Sequence, residues 1–540
     1  MRRAFVVLLA LAAVLSLASA AGARVLRVGS YRGIRGQYSS IQAAVKAARA
    51  GDWILVGPGD YKTKPSSIST PKGSPDFPAG VLITTRNLHI RGMNRNKVIV
   101  DGTRPGSAVC SRRGSAQNLG LKGAASASGY AVVSAATPPS GVNGLMVWKA
   151  PNVSIENLTA CNFLGGSRDA GNEIWWNGGA NSGKVGGHGF YGAYLSTTST
   201  YLKNQTAAGE ASAAEYGVFS SNWSGGTWNQ IYASNFNDSG FYIGACQQVC
   251  DQTMDHAHGE YNALGYSGSN SGGRMLIENS EFDNNEDGFD TNSQNGDNPP
   301  PQNGACPAGV KPPVAGASTC WVFIHNYLHN NNDPNVPASG SAAAGPVGTG
   351  MSVSGARNDT IMDNRFVDNN AWGIIFVPYL DSGAPCTGGT PGAFGPGSCL
   401  FDEYGDALIK NSFSNNGSYG HPSNGDFQRI NFESNEPTDC FSQNTDTSGA
   451  IRPATAALLQ TTYPSCNGAK VAASNSDPNF LTEVLCDSQV ELSPGTPSAC
   501  PSGQYPRVSK IVMHPLPKQR TMPNPCTGVP RNPWCGRKKS

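Results

Sequence analysis

The chain has 540 residues, of which only 14 % are charged, against the ~25 % usual in globular domains. Its formal net charge of +2 excludes a partner held by charge alone, such as nucleic acid or an acidic membrane surface. Glycine is abundant at 66 residues, and the 14 cysteines make the even count expected of a disulfide-bonded, exported chain.

Residues 1–23 read as an export signal. Arg2 and Arg3 form its positive start, Phe5 to Leu17 its apolar core, and Ala18-Ser19-Ala20 or Ala21-Gly22-Ala23 its cleavage site. The core is shorter than the ~20 residues that span a bilayer, and no later stretch is apolar enough to do so. The expected location is therefore outside the cytoplasm: secreted, periplasmic or on the cell surface. The one clear helix follows, between Gly36 and Lys62. Ser39 or Ser40 caps it, Ile41, Ala44, Val45, Ala47 and Ala48 give one apolar face, and Gly51 stops it. Such a helix plugs the end of a stacked array.

The region 24–444 is one repeat array. Its clearest stretch is Asn229 to Asn292, with NQIYASNFNDSGFYIG, QTMDHAHGEYNALGYSG and MLIENSEFDNNEDGFDTN as three passes of one pattern. Taking Asn235, His256 and Asn279 as equivalent gives spacings of 21 and 23 residues. The pattern recurs near Asn157, Asn364 and Asn411, each nine residues before a glycine, as Asn279 is before Gly288. Short apolar runs punctuated by Gly and Asn are strands and turns. Copies of ~20–25 residues that cannot bury their own core predict an all-β parallel β-helix, a solenoid with rungs ~4.8 Å apart. Asparagine suits its turns and can hydrogen-bond along the stack. A leucine-rich repeat is excluded by the Ile and Phe positions, the uneven spacing and the lack of a helical back. Loop insertions are expected near 104–142, 295–318, 334–347 and 379–398. Residues 445–540, rich in Pro and Cys, read as a disulfide-stapled C-terminal cap with a flexible tail. Short spacings suggest local staples at Cys246/Cys250, Cys306/Cys320, Cys386/Cys399, Cys486/Cys500 and Cys526/Cys535.

The phrase YSSIQAAVKAARAGDWILVGPGDYK (Tyr38 to Lys62), followed by I-x-N-x-F-x-x-N rungs, resembles secreted right-handed parallel β-helix proteins of the pectin-lyase-like superfamily. The resemblance covers roughly Arg27 to Asn444. It implies a right-handed coil and an extracellular polysaccharide as partner, with no membrane span, and leaves the activity open between lyases, hydrolases, epimerases and a periplasmic metal-delivery accessory. The chain departs from the catalytic patterns of those groups. Gly187-His188-Gly189 lies about a hundred residues before the acids, on the wrong side of them for a polygalacturonase. There is no Asp-Asp pair and no Asp-Pro-His-Asp motif, and Arg274, Arg365 and Lys410 sit in no recognisable lyase motif.

The densest ionisable stretch is Glu281 to Asp290. Alternation turns Phe289 inward and Asp290 and Asn292 outward, with Asp287 at the preceding turn. Paired carboxylates can act as general acid and base on a glycan, so Asp287 and Asp290, assisted by His258, are the expected catalytic set. Asp283, Asp287 and Asp290 are the expected calcium ligands, because Asp283-x-Asn285-x-Asp287-Gly288 matches the start of a calcium loop. A solvated turn with surface acids explains the same residues. His258 and Glu260 are expected one rung from Glu281 and Asp283. Cys246, Cys250, His256 and His258 can be read as zinc ligands, although a disulfide competes for the two cysteines. Tyr242, Tyr266 and Asn292 are the expected substrate contacts among flanking aromatics such as Trp175 and Trp223. The sequence thus points to a monomer that binds, and by β-elimination or hydrolysis cleaves, a uronate-containing polysaccharide. A non-catalytic surface or adhesion protein, or a metal-delivery accessory, stands as the alternative.

Overall fold

The computed structural model describes residues 22–63, 78–118, 141–165, 171–179, 184–203, 213–297, 299–383, 385–432, 436–437, 439–447, 470–471, 479–489 and 500–536. All but the last two residues of the expected export signal lie outside them.

Short strands pair in parallel from one rung to the next. Asp255 faces Glu278, Glu278 faces Ile324, and Ile324 faces Met362. Among the described residues, nineteen strands form one continuous sheet and ten form a second. The larger sheet turns a corner. Its long strands Val153–Cys161, Phe190–Thr198, Gly226–Ser234 and Gln252–Glu260 bend at Asn157, Tyr194, Gln230 and His256, where φ is 59, 53, 57 and 55°. In the next rung the strand breaks there, between Met275–Glu278 and Glu281–Asp283, at Asn279 with φ 51°. The bent sheet supplies two faces and the ten-stranded sheet the third, which makes a parallel β-helix. Parallel crossovers of this kind are right-handed almost without exception.

The register corrects the expected repeat alignment. Asn229 faces Asp255 and Asp255 faces Glu278, so Gln230, His256 and Asn279 are equivalent. Asn235 belongs to the following corner, where its N–H meets the Tyr261 carbonyl at 3.1 Å. Asparagine also plays two adjacent roles. One residue takes the left-handed turn, and the next turns inward and joins a buried ladder. Asn364, Asn411 and Asn444 form one ladder, with amide-to-carbonyl contacts of 3.0 Å. Asn262, Asn285, Asn331, Asn369 and Asn416 form another, at 3.0 to 3.2 Å.

Inside the coil, like residues stack on like. Phe366 lies on Phe413 at 5.1 Å, and Tyr266 on Phe289 at 4.2 Å. Each buried ring contributes roughly 1.5–3 kcal/mol relative to exposure. The helix Ile41–Ala47 closes the first rung with Ile41, Ala44 and Val45 against this core, and Ser40 Oγ caps it by accepting from the Ala43 N–H at 3.3 Å.

The C-terminal region is more than an end cap. The helix Phe480–Asp487 packs Phe480 and Val484 on Trp372 and Ile375, on the outer side of the ten-stranded sheet. The last described segment then runs back along the coil. Val512 bonds Asn335, His514 bonds Asn235, Gln519 bonds Asn96, and Trp534 Nε1 reaches the Ile34 carbonyl at 2.9 Å. This strap holds the region expected to be a flexible tail. All five expected staples are formed, and Cys110–Cys161 is a sixth, longer-range bond.

Candidate functional site

Alternation on the ten-stranded sheet sets the site. Phe241, Tyr266, Phe289 and Met351 point into the coil, so their neighbours point out. In register from rung to rung, the outward row reads Trp175, Phe219, Tyr242, Ser267, Asp290 and Ser352. The next row places Ser269, Asn292 and Ser354 side by side. The aromatic part of the first row is closed on itself, with Trp175 stacked on Phe219 at 4.8 Å and Phe219 edge-on to Tyr242 at 4.8 Å. Past Tyr242 the rings give way to hydroxyls and acids.

Two adjoining cavities open over those acids, and Leu264, Asp290 and Tyr379 line both. The larger, of about 250 Å³, has a polar floor of Asp287, Asp290, Ser352 and Ser354. Its walls are apolar and come from Ile375 and Val377 on the sheet, Tyr379, Leu380 and Leu400 on the paired strands Tyr379–Ser382 and Ser398–Phe401 after it, and Leu481, Val484 and Leu485 on the C-terminal helix. The smaller, of about 40 Å³, is polar, with Tyr216, Asp238, Tyr242, Asn292 and Asp297 around it.

Desolvation governs the chemistry here. Burial pushes Asp290 up to about 6, although Asn292 and Ser354 both donate to its carboxylate, Ser354 at 2.7 Å. Burial and then the charge of Asp290 hold Asp287 well above the usual carboxylate range, while Ser352 donates to it at 2.5 Å. Asp238 is pushed up to about 7 and takes a hydrogen bond from the Tyr216 hydroxyl at 3.0 Å. Asp297 is pushed up to about 6 and accepts from the Tyr242 hydroxyl. Among the described residues lining either cavity there is no lysine or arginine.

The structure brings together part of the expected set. Asp287, Asp290, Asn292 and Tyr242 share this site. Tyr266 does not: it is fully buried in the coil, because it stands in register with Phe289, whose side chain the same alternation turns inward. His258 and Asp283 lie on the other sheet, in the strands Gln252–Glu260 and Glu281–Asp283. Asp283 therefore cannot complete a calcium site with Asp287 and Asp290, and His258 cannot assist them. His258 faces Glu281 and Glu260 faces Asp283, as the sequence alignment expects. His258 Nε2 meets Asp283 Oδ1 at 2.6 Å, and His329 Nε2 meets Glu281 Oε1 at 3.0 Å. Cys246 and Cys250 form a disulfide, so they supply no thiolate for zinc. His256 is the exposed corner residue.

Sequence reasoning missed Asp238, Asp297, Ser352, Ser354 and Tyr379. Asp238 and Asp297 lie in turns, and Tyr379 begins the short strand Tyr379–Ser382 of an insertion, none of them in a motif. The two serines were findable, since the Gly350 and Gly288 rungs align and the alternation Met351-Ser352-Val353-Ser354 then puts both hydroxyls beside Asp290 and Asn292.

No family model matches the chain, and no curated protein matches it. Solved structures similar to it include the A-module of the Azotobacter vinelandii mannuronan C-5 epimerase AlgE6, at 13 % identity and a TM-score of 0.42 over 75 % of this chain and 88 % of that one. Pectate lyase Pel9A is similar at 12 % identity and a TM-score of 0.33, over 79 % of this chain and 78 % of that one. A tailspike protein mutant of E. coli bacteriophage HK620 is similar at 12 % identity and a TM-score of 0.40, over 81 % of this chain and 61 % of that one. These likenesses are of fold alone.

Proposed function

We propose that the chain binds an extracellular polysaccharide across the outer face of its ten-stranded sheet and hydrolyses it with Asp287 as general acid and Asp290 as its partner carboxylate. One observation carries this reading: two buried acids, each held by a serine of the next rung, form the floor of the larger cavity. A carboxyl group held well above the usual carboxylate range, as Asp287 is, still carries a proton in mildly acidic solution, which is what a glycosidic leaving group needs. The charge of Asp290 helps to keep the proton on Asp287, which separates the two acids into donor and base. The substrate class follows from charge. With acids and, among the described residues, no basic side chain lining the cavities, a neutral glycan fits better than a uronate, whose carboxylates would need a cation between them and Asp290. β-Elimination of the expected uronate glycan is therefore the less favoured chemistry. The six disulfides among the described residues suit an exported chain. No helix among the described residues is long and apolar enough to cross a membrane.

The test is release of reducing ends from a panel of neutral and uronate glycans, by the wild type and by Asp290→Asn. Release from a neutral glycan that Asp290→Asn abolishes is the expected result. Unsaturated uronate products, seen by ultraviolet absorbance and unaffected by Asp290→Asn, would overturn it. A second reading, a non-catalytic surface protein, is favoured by the largely apolar walls of the larger cavity. It predicts glycan binding without release of ends.

A further inference from the structure

The C-terminal rungs contain a third ladder, built from acids where the other two use amides. Asp359, Asp406 and Asp439 each begin or immediately precede a strand of the larger sheet, at Asp359–Met362, Ala407–Ile409 and Cys440–Ser442. The Asp359 N–H donates to Asp406 Oδ1 at 2.7 Å, and the Asp406 N–H to Asp439 Oδ1 at 2.8 Å. This is the bond that the Asn364 N–H makes to Asn411 Oδ1 at 3.0 Å. In the amide ladders the other side-chain atom is an NH₂, which donates to the next Oδ1 and to a backbone carbonyl, as Asn364 Nδ2 does to Phe323 O. In the acid ladder that atom is a second oxygen, and it has nothing to donate.

The surroundings do not compensate. Asp359, Glu403, Asp406 and Asp439 are all fully buried. Asp359 Oδ2, Asp406 Oδ2 and both oxygens of Glu403 have no hydrogen-bond partner. Arg429 is the basic side chain that reaches the group among the described residues. Its Nε binds Asp439 and lies 3.2 Å from Glu403 Oε1. The neighbouring Arg357 is spent elsewhere, over the Tyr404 ring and on the Asp402 carbonyl. Four buried carboxylates against one guanidinium cannot all stay ionised in a dry interior without further positive charge. Two sources exist: protons or a cation. One oxygen each from Glu403, Asp406 and Asp439 lies within 4.8 Å of the others. Calcium, which binds six to eight oxygens at about 2.3–2.6 Å, spans such a triangle and prefers carboxylates.

We propose that Glu403, Asp406 and Asp439 hold a calcium ion inside the last rungs of the coil. The ion neutralises the acid ladder and ties the turn after Ser398–Phe401 to the strands Ala407–Ile409 and Cys440–Ser442. The role is structural and lies apart from the cavities over Asp287 and Asp290.

Elemental analysis of the full chain purified without chelator should find bound calcium, and thermal unfolding in excess calcium and after chelation should show a Tm lower by several degrees in the chelated protein. Asp406→Asn restores the amide pattern of the other ladders, so it should fold, bind less calcium and lose the calcium-dependent shift. Glu403→Gln provides the same test should the first variant fail to fold. Asp290→Asn should keep both the calcium and the shift, which separates this ion from any held in the cleft. A wild type that carries no calcium and unfolds at the same temperature with calcium and with chelator would overturn the proposal, because the acids would then be held by protons alone.

Discussion

Ser354 gives its hydroxyl hydrogen to Asp290 across one rung, at 2.7 Å. The pair joins two strands of the ten-stranded sheet and puts a hydrogen bond on the carboxylate proposed to act as base. A donor to a carboxylate favours its charged form, so the serine moderates the upward push of burial. Removing it in Ser354→Ala should raise the Asp290 pKa further above about 6 and move the acidic limb of the pH–rate profile to higher pH. Asp290→Asn should lower kcat by roughly 10²–10⁴-fold with little change in Tm. A limb that stays in place in Ser354→Ala would mean that another group sets it.

The buried amides predict a stability effect with a clear control. Asn331 Oδ1 accepts from Asn285 Nδ2 at 3.0 Å, and Asn331 Nδ2 donates to Phe282 O at 3.1 Å. Asn331→Ala leaves those buried groups unpaired, at a cost of about 1–3 kcal/mol for each. Asn415, an exposed corner residue with φ 55°, should cost well under that when changed to Gly, which adopts the same backbone without strain. Denaturant unfolding of the two variants measures the difference. Equal effects would show that the ladder contributes nothing special.

The His258–Asp283 pair predicts a pH dependence on the opposite side of the coil. Burial pulls the His258 pKa down, but the hydrogen bond and charge of Asp283, with Glu260 and Glu281, outweigh it and leave it raised. A raised histidine stabilises fully below its unfolded value of ~6.5, and that contribution is lost as pH rises through the folded value. His258→Gln should therefore lower Tm more at pH ~6 than at pH ~8. The side chain is 33 % exposed, so solvent screening keeps the effect modest.

The strap predicts resistance to proteolysis. Arg95 is fully buried and donates to Ser196 Oγ at 2.7 Å and to the Arg520 carbonyl at 3.2 Å, which pins the strap to the bent sheet in the early rungs. Intact protein should resist cleavage at Lys518 and Arg520. Arg95→Met should expose both sites to trypsin, as mass spectrometry of limited digests would show. Rapid cleavage of the wild type there would restore the picture of a flexible tail.

The coil was legible because stacking repeats one local solution many times. Each rung carries its own Gly, Asn and aromatic marks, and the His258–Glu281 register followed from them. The corners were less legible, since Asn279 turns the chain and Asn364 joins a ladder one position later, and the letters do not distinguish the two roles. The site was half legible. Asp290 and Asn292 follow from the parity of Phe289, and the same parity, carried one rung back, places Tyr266 in the core. What the sequence concealed was three-dimensional. Asp283 and Asp287 are four residues apart, yet a corner sends them to different faces. The cavity walls come from the paired strands after Val377 and from the helix Phe480–Asp487, which no spacing connects to Asp290.

The most direct test of the account is where the glycan binds. Binding of the oligosaccharide that the wild type recognises best should be measured for Asp290→Asn, Tyr242→Ala and His258→Gln, with folding checked for each. The account predicts that Asp290→Asn and Tyr242→Ala weaken binding at least tenfold, about 1.4 kcal/mol, and that His258→Gln leaves it unchanged. Loss of binding in His258→Gln alone would move the site to the opposite sheet and contradict the account.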